Sequence, residues 1–369
     1  MSPIDTILTS DSLLSELENH LEVTFHNKGL LKCAFTHSTF KHENPSLQLN
    51  DNQTLEFLGD AVLGLIISEY TYDRYFSKML FVRETLTPNK DEGKYSEFRD
   101  KHIGSLLSEI ADKLGLDNYL VKGNGERNNN TGKASRLEDL MEALIGAIYK
   151  DKGYDFTKEF VLKHFKPYLE KSFIQLYEKE LQAVDEELKT QPDNDLLLTD
   201  KGKILHELSK FEEALKALNK ALLIDPEYEE ALSFKVYCLE ELEEYEEALD
   251  VTNKLISINP TFEFIWADKG NILLGLGKIE EALEAYKKSL ELDPDDPDSL
   301  YEIAKIYSLQ RNKEEAINYL KMAIKCEKYI DGIIECGTPI KNEFKKENDF
   351  DWLFNDSDFE EQNKKTIFK

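Results

Sequence analysis

Two patterns of apolar and polar positions divide the chain into an N-terminal and a C-terminal half. From about residue 195 to residue 328 the pattern repeats every 34 residues, and a proline after Asp or Asn marks the period at Pro226, Pro260 and Pro294. Within each unit, apolar residues follow helical spacing on both sides of a short polar turn. This pattern predicts four pairs of amphipathic helices stacked into an α-solenoid.

The N-terminal half lacks this period and contains two strongly apolar segments. They are LEFLGDAVLGLIISEY at 55–70 and LEDLMEALIGAIY at 137–149. Each is long enough for a helix and is apolar on most faces, which predicts that both helices are buried. No convincing series of alternating apolar and polar residues indicates strands. We therefore predict an all-α fold for residues 1–170.

The 34-residue units resemble the tetratricopeptide repeat. The third unit matches best, and small residues recur where paired helices must approach closely. The positions that carry the resemblance are Trp266, Gly270, Ala282, Tyr286 and Pro294, and the recurring alanines are Ala214, Ala248, Ala282 and Ala316. Some positions depart, because Lys201, Lys235 and Lys269 stand where the pattern usually has Leu, and Val236 stands where it has a small residue.

The predicted layout has four parts. Residues 1–170 form a helical domain, 171–192 a helical connector, 193–328 four repeats, and 329–369 a C-terminal helical cap or tail. A helix-pair solenoid leaves the apolar face of its last unit open. We expect the apolar residues of the tail to cover that face.

The charge of the chain is strongly negative and unevenly distributed. Of the net charge of −27, residues 1–170 contribute 20 Lys/Arg against 27 Asp/Glu, and residues 171–369 contribute 26 against 46. The repeat half should repel phosphate, which argues against a generic nucleic-acid-binding role for it. Its expected role is to bind a protein partner.

Targeting features predict a cytoplasmic protein. No run of about eighteen apolar residues predicts a membrane span, and the N-terminus lacks the basic and apolar pattern of a secretory leader. The four cysteines are scattered, with no CxxC pair. This distribution favours reduced thiols in the cytosol.

Two pairs of carboxylates lie within the apolar helices of the N-terminal half. Glu56 and Asp60 are four residues apart, and Asp139 and Glu142 are three apart, so each pair shares one helical face. Buried carboxylates need a cationic partner or a metal, and Lys and Arg are scarce nearby. If the helices cross face to face, the four acids predict a site for Mg²⁺, or for Mn²⁺ in its place. The alternative is that the acids occupy first helical turns, where they favour the helix dipole, or that Asp139 caps a helix.

The same segments resemble the ribonuclease III family. The resemblance covers roughly residues 14–168 and rests on NQTLEFLGDAVL at 52–63, FTHSTF at 35–40, the Gly123–Glu126 turn and LEDLMEALIG at 137–146. It implies the all-helical ribonuclease III endonuclease fold. It also implies that Glu56, Asp60, Asp139 and Glu142 are metal ligands, with Asp60 and Glu142 acting in catalysis.

The resemblance further implies a substrate and an oligomeric state. Family members cut double-stranded RNA with Mg²⁺, leaving 5′-phosphate and 3′-hydroxyl ends with short 3′ overhangs, and take part in RNA processing that includes ribosomal RNA. They work as homodimers, with the position of Phe57 packing across the dimer interface. In the loop before the second acidic helix, Lys122, Arg127, Lys133 and Arg136 are candidate RNA contacts, although a polar surface loop is the simpler interpretation.

The sequence departs from the family at two points. Gln53 stands where the family usually has Glu, and acidic repeats follow the nuclease segment where a double-stranded RNA-binding domain is usual. An alternative hypothesis is therefore a catalytically weak or inactive RNA-binding dimer that serves as a scaffold for partners. A further alternative is a repeat adaptor with an unrelated helical domain at its N-terminus.

Overall fold

The computed structural model describes residues 11–46, 50–76, 106–127, 132–261 and 263–330. Over these ranges the secondary structure is helical, and the only β-type pairing is an isolated bridge between Thr36 and Val121. The predicted all-α fold is confirmed. The chain divides into two compact units, Met1–Ser172 and Phe173–Lys369.

The first unit is built around two long helices, α4 and α7, which pack along each other with a fully buried core at Leu63, Ile66 and Leu144. Gly132 and Gly153, with φ of 82° and 84°, bound α7 at its two ends, where a left-handed backbone favours glycine. The helices of this unit are α1 (Asp11–Leu21), α2 (Lys28–Ala34), α3 (Ser38–Glu43), α4 (Gln53–Phe76), α5 (106–113), α6 (Asn124–Arg127), α7 (Lys133–Lys152) and the first part of α8 (Tyr154–Thr190).

The second unit contains the end of α8 and four antiparallel helix pairs. Asn194 caps α9 by accepting a hydrogen bond from the Leu197 N–H, and Asp296 caps α15 ahead of a proline in its first turn. The pairs are α9 (Asp195–Glu207) with α10 (Phe211–Ile224), α11 (Glu229–Glu241) with α12 (Tyr245–Ile258), α13 (Glu263–Gly275) with α14 (Ile279–Leu292), and α15 (Pro297–Leu309) with α16 (Lys313–Ile330). This is the tetratricopeptide-repeat solenoid that the 34-residue period predicted.

The turn inside each repeat has the same backbone conformation. One residue per turn has a positive φ, and the four lie 34 residues apart: Ser209, Glu243, Gly277 and Arg311, with φ between 55° and 71°. Only one of them is glycine, so the packing of the helix pairs holds the other three in a conformation that costs an L-residue about 1–2 kcal/mol.

Close helix contacts explain the small residues of the repeats. A Cβ on Gly270 would lie 2.5 Å from the Tyr286 ring, and one on Gly202 would lie 2.5 Å from the Leu218 side chain. The equivalent Val236 is fully buried. The second repeat therefore accommodates a larger side chain at this position.

The predicted connector at 171–192 lies mostly within α8, which continues without interruption from Tyr154 to Thr190 and includes Pro167. Of the predicted C-terminal cap, residues beyond 330 lie outside the described part of the chain.

Among the helices described, none is both long and apolar enough to cross a lipid bilayer.

Candidate metal centre

Three of the four predicted metal ligands meet where α4 crosses α7. Carboxylate oxygens of Glu56 on α4 and of Asp139 and Glu142 on α7 all lie within 4.8 Å of one another, and all three residues are half-buried. The arrangement brings together acids that are more than 80 residues apart in the sequence. It forms a set of hard oxygen donors such as Mg²⁺ and Mn²⁺ prefer.

Two glycines allow this crossing. A Cβ on Gly59 of α4 would lie 1.8 Å from the backbone oxygen of Glu142, and a Cβ on Gly146 of α7 would lie 2.2 Å from the backbone oxygen of Leu55. Neither distance is possible for a real side chain, so the two backbones touch only because both residues are glycine. Each contact lies within one helical turn of a carboxylate of the cluster, and the glycines therefore set the separation of the acids.

The electrostatics of the cluster favour a bound cation. Burial, followed by repulsion from Asp60, Glu138, Glu56 and Asp139, raises the pKa of Glu142 to about 8. Burial, followed by the charges of Asp139 and Asp51, also raises the pKa of Glu56, and burial raises the pKa of Asp139.

No Lys or Arg within the described ranges forms an ion pair with Glu56, Asp139 or Glu142. The protein thus gathers negative charge without neutralising it. The donor set and this uncompensated charge both fit a divalent ion.

Asp60, the fourth predicted ligand, lies outside the group of three. It is exposed on α4, one turn beyond Glu56. Its charge still raises the pKa of Glu142 more than that of any other acid does. Asp60 therefore borders the cluster at its open side, where a ligand from solvent would approach.

Two acids of this neighbourhood were not among the predicted site residues. Glu138 is half-buried, and its charge contributes to the raised pKa of Glu142. Asp51 is buried beside Glu56 and forms an ion pair with Lys41 at 3.1 Å. Sequence spacing gives a signal for Glu138, because it precedes Glu142 by four residues on α7 and so shares a helical face with it. Asp51 precedes the start of α4 at Gln53, so helical spacing gives no signal for it.

The predicted RNA-contacting loop is held by ion pairs. Lys122 pairs with Asp117 at 2.7 Å and Arg136 with Glu126 at 2.9 Å, and both basic side chains are largely buried. Lys133, which is partly exposed, pairs with Asp112. Arg127 ends α6. Two of the four candidates thus support the fold of the loop, and Lys133 is the more accessible cation.

Phe57 is the most exposed aromatic side chain in the described part of the first unit, with 80% of its surface accessible. Ala61 and the half-exposed Leu65 follow at four-residue intervals on α4, so they share its face. The opposite face of α4 packs on α7. This leaves an exposed apolar strip, defined by Phe57, Ala61 and Leu65, beside the acidic cluster.

Comparison with known families and relatives agrees with this division of the chain. The family description "Ribonuclease-III-like" matches residues 27–169. Descriptions of the tetratricopeptide repeat match residues 205–266, 270–310 and 297–327. The first match lies within the first structural unit, and the other three lie within the second.

Curated relatives match the first unit. The chain is 39% identical over 180 residues to "Ribonuclease 3" of Syntrophobacter fumaroxidans, an alignment covering 48% of this chain and 68% of the relative. It is 33% identical over 159 residues to "Ribonuclease 3" of Leptospira interrogans, covering 42% of this chain and 59% of the relative. It is 37% identical over 153 residues to "Ribonuclease 3" of Enterococcus faecalis, covering 41% and 61%. The chain thus spans about three fifths to two thirds of the length of these relatives.

Two solved structures are similar to parts of this chain. The nuclease domain of a ribonuclease III from Campylobacter jejuni is 32% identical and matches 42% of this chain and 96% of that one, with a TM-score of 0.35. A MamA structure from Desulfovibrio magneticus is 19% identical and matches 44% of this chain and 96% of that one, with a TM-score of 0.41.

Proposed function

The chain belongs to the ribonuclease III family, and from this premise we propose that it is an Mg²⁺-dependent endonuclease that cuts double-stranded RNA. The observation that carries the proposal is the convergence of Glu56, Asp139 and Glu142 within 4.8 Å, with no Lys or Arg paired to them in the described chain. Such a cluster raises the free energy of the metal-free protein, so its presence is best explained by the ion that it would hold.

The proposed ligands are Glu56, Asp139 and Glu142, with Asp60 completing the set from the open side. A divalent ion held there would supply an activated water and neutralise charge on the reacting phosphate, and Mn²⁺ could replace Mg²⁺ in this role. Asp60 and Glu142 are the proposed catalytic residues, because Asp60 faces solvent beside Glu142.

The proposed reaction is hydrolysis of a phosphodiester. Water attacks the phosphorus atom, the bond from phosphorus to the 3′-oxygen breaks, and that oxygen takes up a proton. The products are a 5′-phosphate and a 3′-hydroxyl, with a short 3′ overhang when both strands are cut. Processing of RNA precursors, including ribosomal RNA, in the cytoplasm is the cellular role that we propose.

The exposed apolar strip on α4 is the proposed homodimer interface. Phe57 is the more exposed of its two large apolar side chains, and a second copy of the same strip would cover it by a two-fold contact. Each protomer would then contribute one acidic cluster, so the two strands of one duplex could be cut together.

The repeat unit is the proposed docking site for a protein partner. Its excess of acidic residues makes it a poor surface for RNA. Substrate contact is assigned instead to the nuclease dimer, with Lys133 and Arg127 as candidate phosphate contacts. Binding should therefore weaken steeply as salt rises.

A second candidate function is a catalytically weak scaffold, and Gln53 is the observation that favours it. This neutral residue is exposed at the first position of α4, one turn before Glu56. An amide can still hydrogen-bond to a metal-bound water, but it adds no charge to the site.

The test of the endonuclease is cleavage of an end-labelled perfect RNA duplex by the full-length protein with Mg²⁺. We expect cuts on both strands, and Glu142→Gln should lower the rate by more than about a hundredfold, exceeding the loss typical of residues around a metal site. Glu159→Gln, an exposed acid on α8, is the matched control and should cut normally.

Gln53→Glu separates the two candidate functions. If the wild-type dimer is folded and cuts nothing in Mg²⁺ or Mn²⁺ at low salt, the endonuclease proposal fails. If Gln53→Glu then restored cutting, the hypothesis of a catalytically weak scaffold would be established. Normal cutting by Glu142→Gln would instead show that the acidic cluster is not the active site.

A further inference from the structure

A pocket opens in the second unit between the end of α8 and the first helix pair, α9 and α10. Its volume is about 650 Å³, within the range of roughly 300–1,000 Å³ that is usual for ligand pockets. The apolar part of its lining consists of Leu188, Leu198, Leu205, Ala217 and Pro192. Leu198 and Leu205 are themselves buried, so the pocket has a firm apolar floor.

The remaining lining is rich in lysine, in contrast to the acidic unit around it. Four lysines, Lys189, Lys201, Lys216 and Lys220, line the pocket with only two acids, Asp185 and Glu213. We call this feature the lysine pocket.

Two of these lysines already have partners. Lys201 donates to Asp185 at 2.6 Å, and Lys189 pairs with Glu186 on its own helix. Lys216 and Lys220 are exposed, lie one turn apart on α10, and form no ion pair or hydrogen bond with any residue in the described chain. The rim of the pocket thus carries two free positive charges above an apolar floor.

The lysines and apolar side chains of this pocket fit an occupant that carries both acidic and apolar side chains. Residues 349–361 of this chain, DFDWLFNDSDFEE, contain six acidic residues and no Lys or Arg. They also contain five large apolar residues, Phe350, Trp352, Leu353, Phe354 and Phe359. This segment lies outside the described residues.

We propose that the segment 349–361 docks in the lysine pocket of the same chain. Its apolar side chains would cover the floor at Leu198 and Leu205, and its carboxylates would pair with Lys216 and Lys220. A surface charge pair alone is worth little, but joint burial of apolar side chains makes such contacts selective.

The length of the chain permits this contact. Eighteen residues, 331–348, join the end of α16 to the segment, and an extended chain of that length spans up to about 60 Å. Three steps between neighbouring helix pairs, at roughly 10 Å each, separate the last pair from the first. A tether this short also keeps the effective concentration of the segment high.

A docked segment would compete with other ligands for the lysine pocket. A partner protein with a similar acidic and apolar segment would have to displace residues 349–361 before binding. The pocket and the segment both belong to the second unit, so their contact does not depend on the nuclease activity.

The test uses Trp352 as a reporter in the full-length protein. The chain has two tryptophans, so Trp266→Phe leaves Trp352 as the single indole. Quenching of its fluorescence by acrylamide is compared with that of the free 349–361 peptide. We expect quenching in the full-length chain to be several-fold weaker at low salt and to rise toward the peptide value near 1 M salt, where the Debye length is about 3 Å.

A matched pair of charge reversals locates the contact. Lys216→Glu with Lys220→Glu should raise quenching to the level of the free peptide. Lys321→Glu with Lys325→Glu, two exposed lysines with the same spacing on α16, should leave it unchanged. If circular dichroism shows that the Lys216 and Lys220 variant is misfolded, a variant of the segment itself is used instead. It combines Asp349→Asn, Asp351→Asn, Asp356→Asn and Asp358→Asn, and the same rise in quenching is expected.

Other outcomes overturn the proposal. Peptide-like quenching in the unmodified chain would show that the segment does not dock. Protection that only the α16 variant removes would place the segment on the last repeat, and protection that neither variant removes would place it elsewhere. A cross-linking experiment tests whether the contact lies within one chain. ¹⁵N-labelled and unlabelled chains are mixed and left to exchange partners, and a carbodiimide then links Lys216 or Lys220 to carboxylates of the segment. We expect the linked peptides to carry the same isotope. Mixed-isotope links would assign the pocket to a second copy.

Discussion

Glu142 lies on α7 at a half-buried position where burial and four neighbouring carboxylates raise its pKa to about 8. Its placement is unfavourable for folding and useful only when a cation is present. Such a residue lowers the stability of the folded protein while serving its function. The same position therefore yields a test that needs no RNA.

We expect Glu142→Gln to stabilise the metal-free protein and to abolish its stabilisation by Mg²⁺. The neutral amide removes repulsion and the cost of burying charge, so the thermal midpoint in chelator should rise by a few degrees. Wild-type protein should gain stability on adding Mg²⁺, since the ion binds only the folded state. Calorimetry of both proteins and of Glu159→Gln checks this. A wild-type midpoint that is indifferent to divalent ions would contradict it.

The crossing of α4 and α7 is the structural element on which the site depends. Gly59 and Gly146 let the two backbones touch, and the carboxylates of Glu56 and Glu142 lie within one turn of that contact. A methyl group between the two backbones would move the helices apart and so increase the separation of the acids on opposite helices.

We expect Gly146→Ala to destabilise the fold and to weaken the site. The added Cβ would lie 2.2 Å from a backbone oxygen of Leu55, so the helices must separate at a cost of about 1–3 kcal/mol. Denaturant unfolding and Mg²⁺ titration measure the two effects. Gly125→Ala is the control, because a Cβ there meets nothing within 4 Å. Unchanged stability in Gly146→Ala would contradict the close crossing.

The solenoid contains an acidic pair of its own. Burial, with the neighbouring charges of Asp268 and Glu241, raises the pKa of Glu240 on α11 to about 8. Burial, with the charge of Asp296, raises the pKa of Asp268 on α13 to about 7. The folded repeats therefore retain protons that the unfolded chain releases near pH 4.

This pair predicts a pH dependence of stability in the repeat unit. Because the pKa values of Glu240 and Asp268 are raised in the folded state, protonation of these two acids adds to the free energy of unfolding. This added stability is fully present below about pH 4 and is lost as pH rises through 7 to 8. The thermal midpoint should fall between about pH 5.5 and pH 8.5, and Glu240→Gln with Asp268→Asn should flatten that fall. Asp250→Asn with Glu284→Gln, two exposed acids, is the control. Equal slopes in both double variants would contradict the assignment.

At the scale of the whole molecule, the two units differ in charge and in the surface that they leave uncovered. The acidic excess lies mostly in the repeat half. The nuclease unit instead exposes the apolar strip of Phe57, Ala61 and Leu65. Leaving a large aromatic ring 80% exposed costs free energy unless a partner covers it.

We expect Phe57→Asp to convert a dimer into a monomer while leaving the helical content unchanged. A two-fold contact would bury the introduced charge in both protomers, so the cost of burying two like charges adds to the lost apolar burial. Sedimentation of the full-length protein measures the change. Leu223→Asp, at a position 83% exposed on α10, should remain dimeric. A wild-type protein that is monomeric at micromolar concentration would remove the basis for this prediction.

Much of the architecture follows from local sequence pattern. The 34-residue period determines the helix pairs, because amphipathic spacing and the turn residues act over a few neighbouring positions. The apolar segments around Glu56 and Glu142 likewise determine two buried helices, and the acids within them indicate a metal site. These features depend on contacts within one helix or one turn, which sequence spacing describes well.

Tertiary structure alone decided which of these residues meet. It brought Glu56, Asp139 and Glu142 together, left Asp60 at the solvent side, and added Glu138 and Asp51 to the neighbourhood. It also committed Lys122 and Arg136 to ion pairs within the fold. The physical reason is that such contacts depend on the distance at which two helices cross. Here that distance is set by two glycines nearly 90 residues apart, which no local pattern relates to each other.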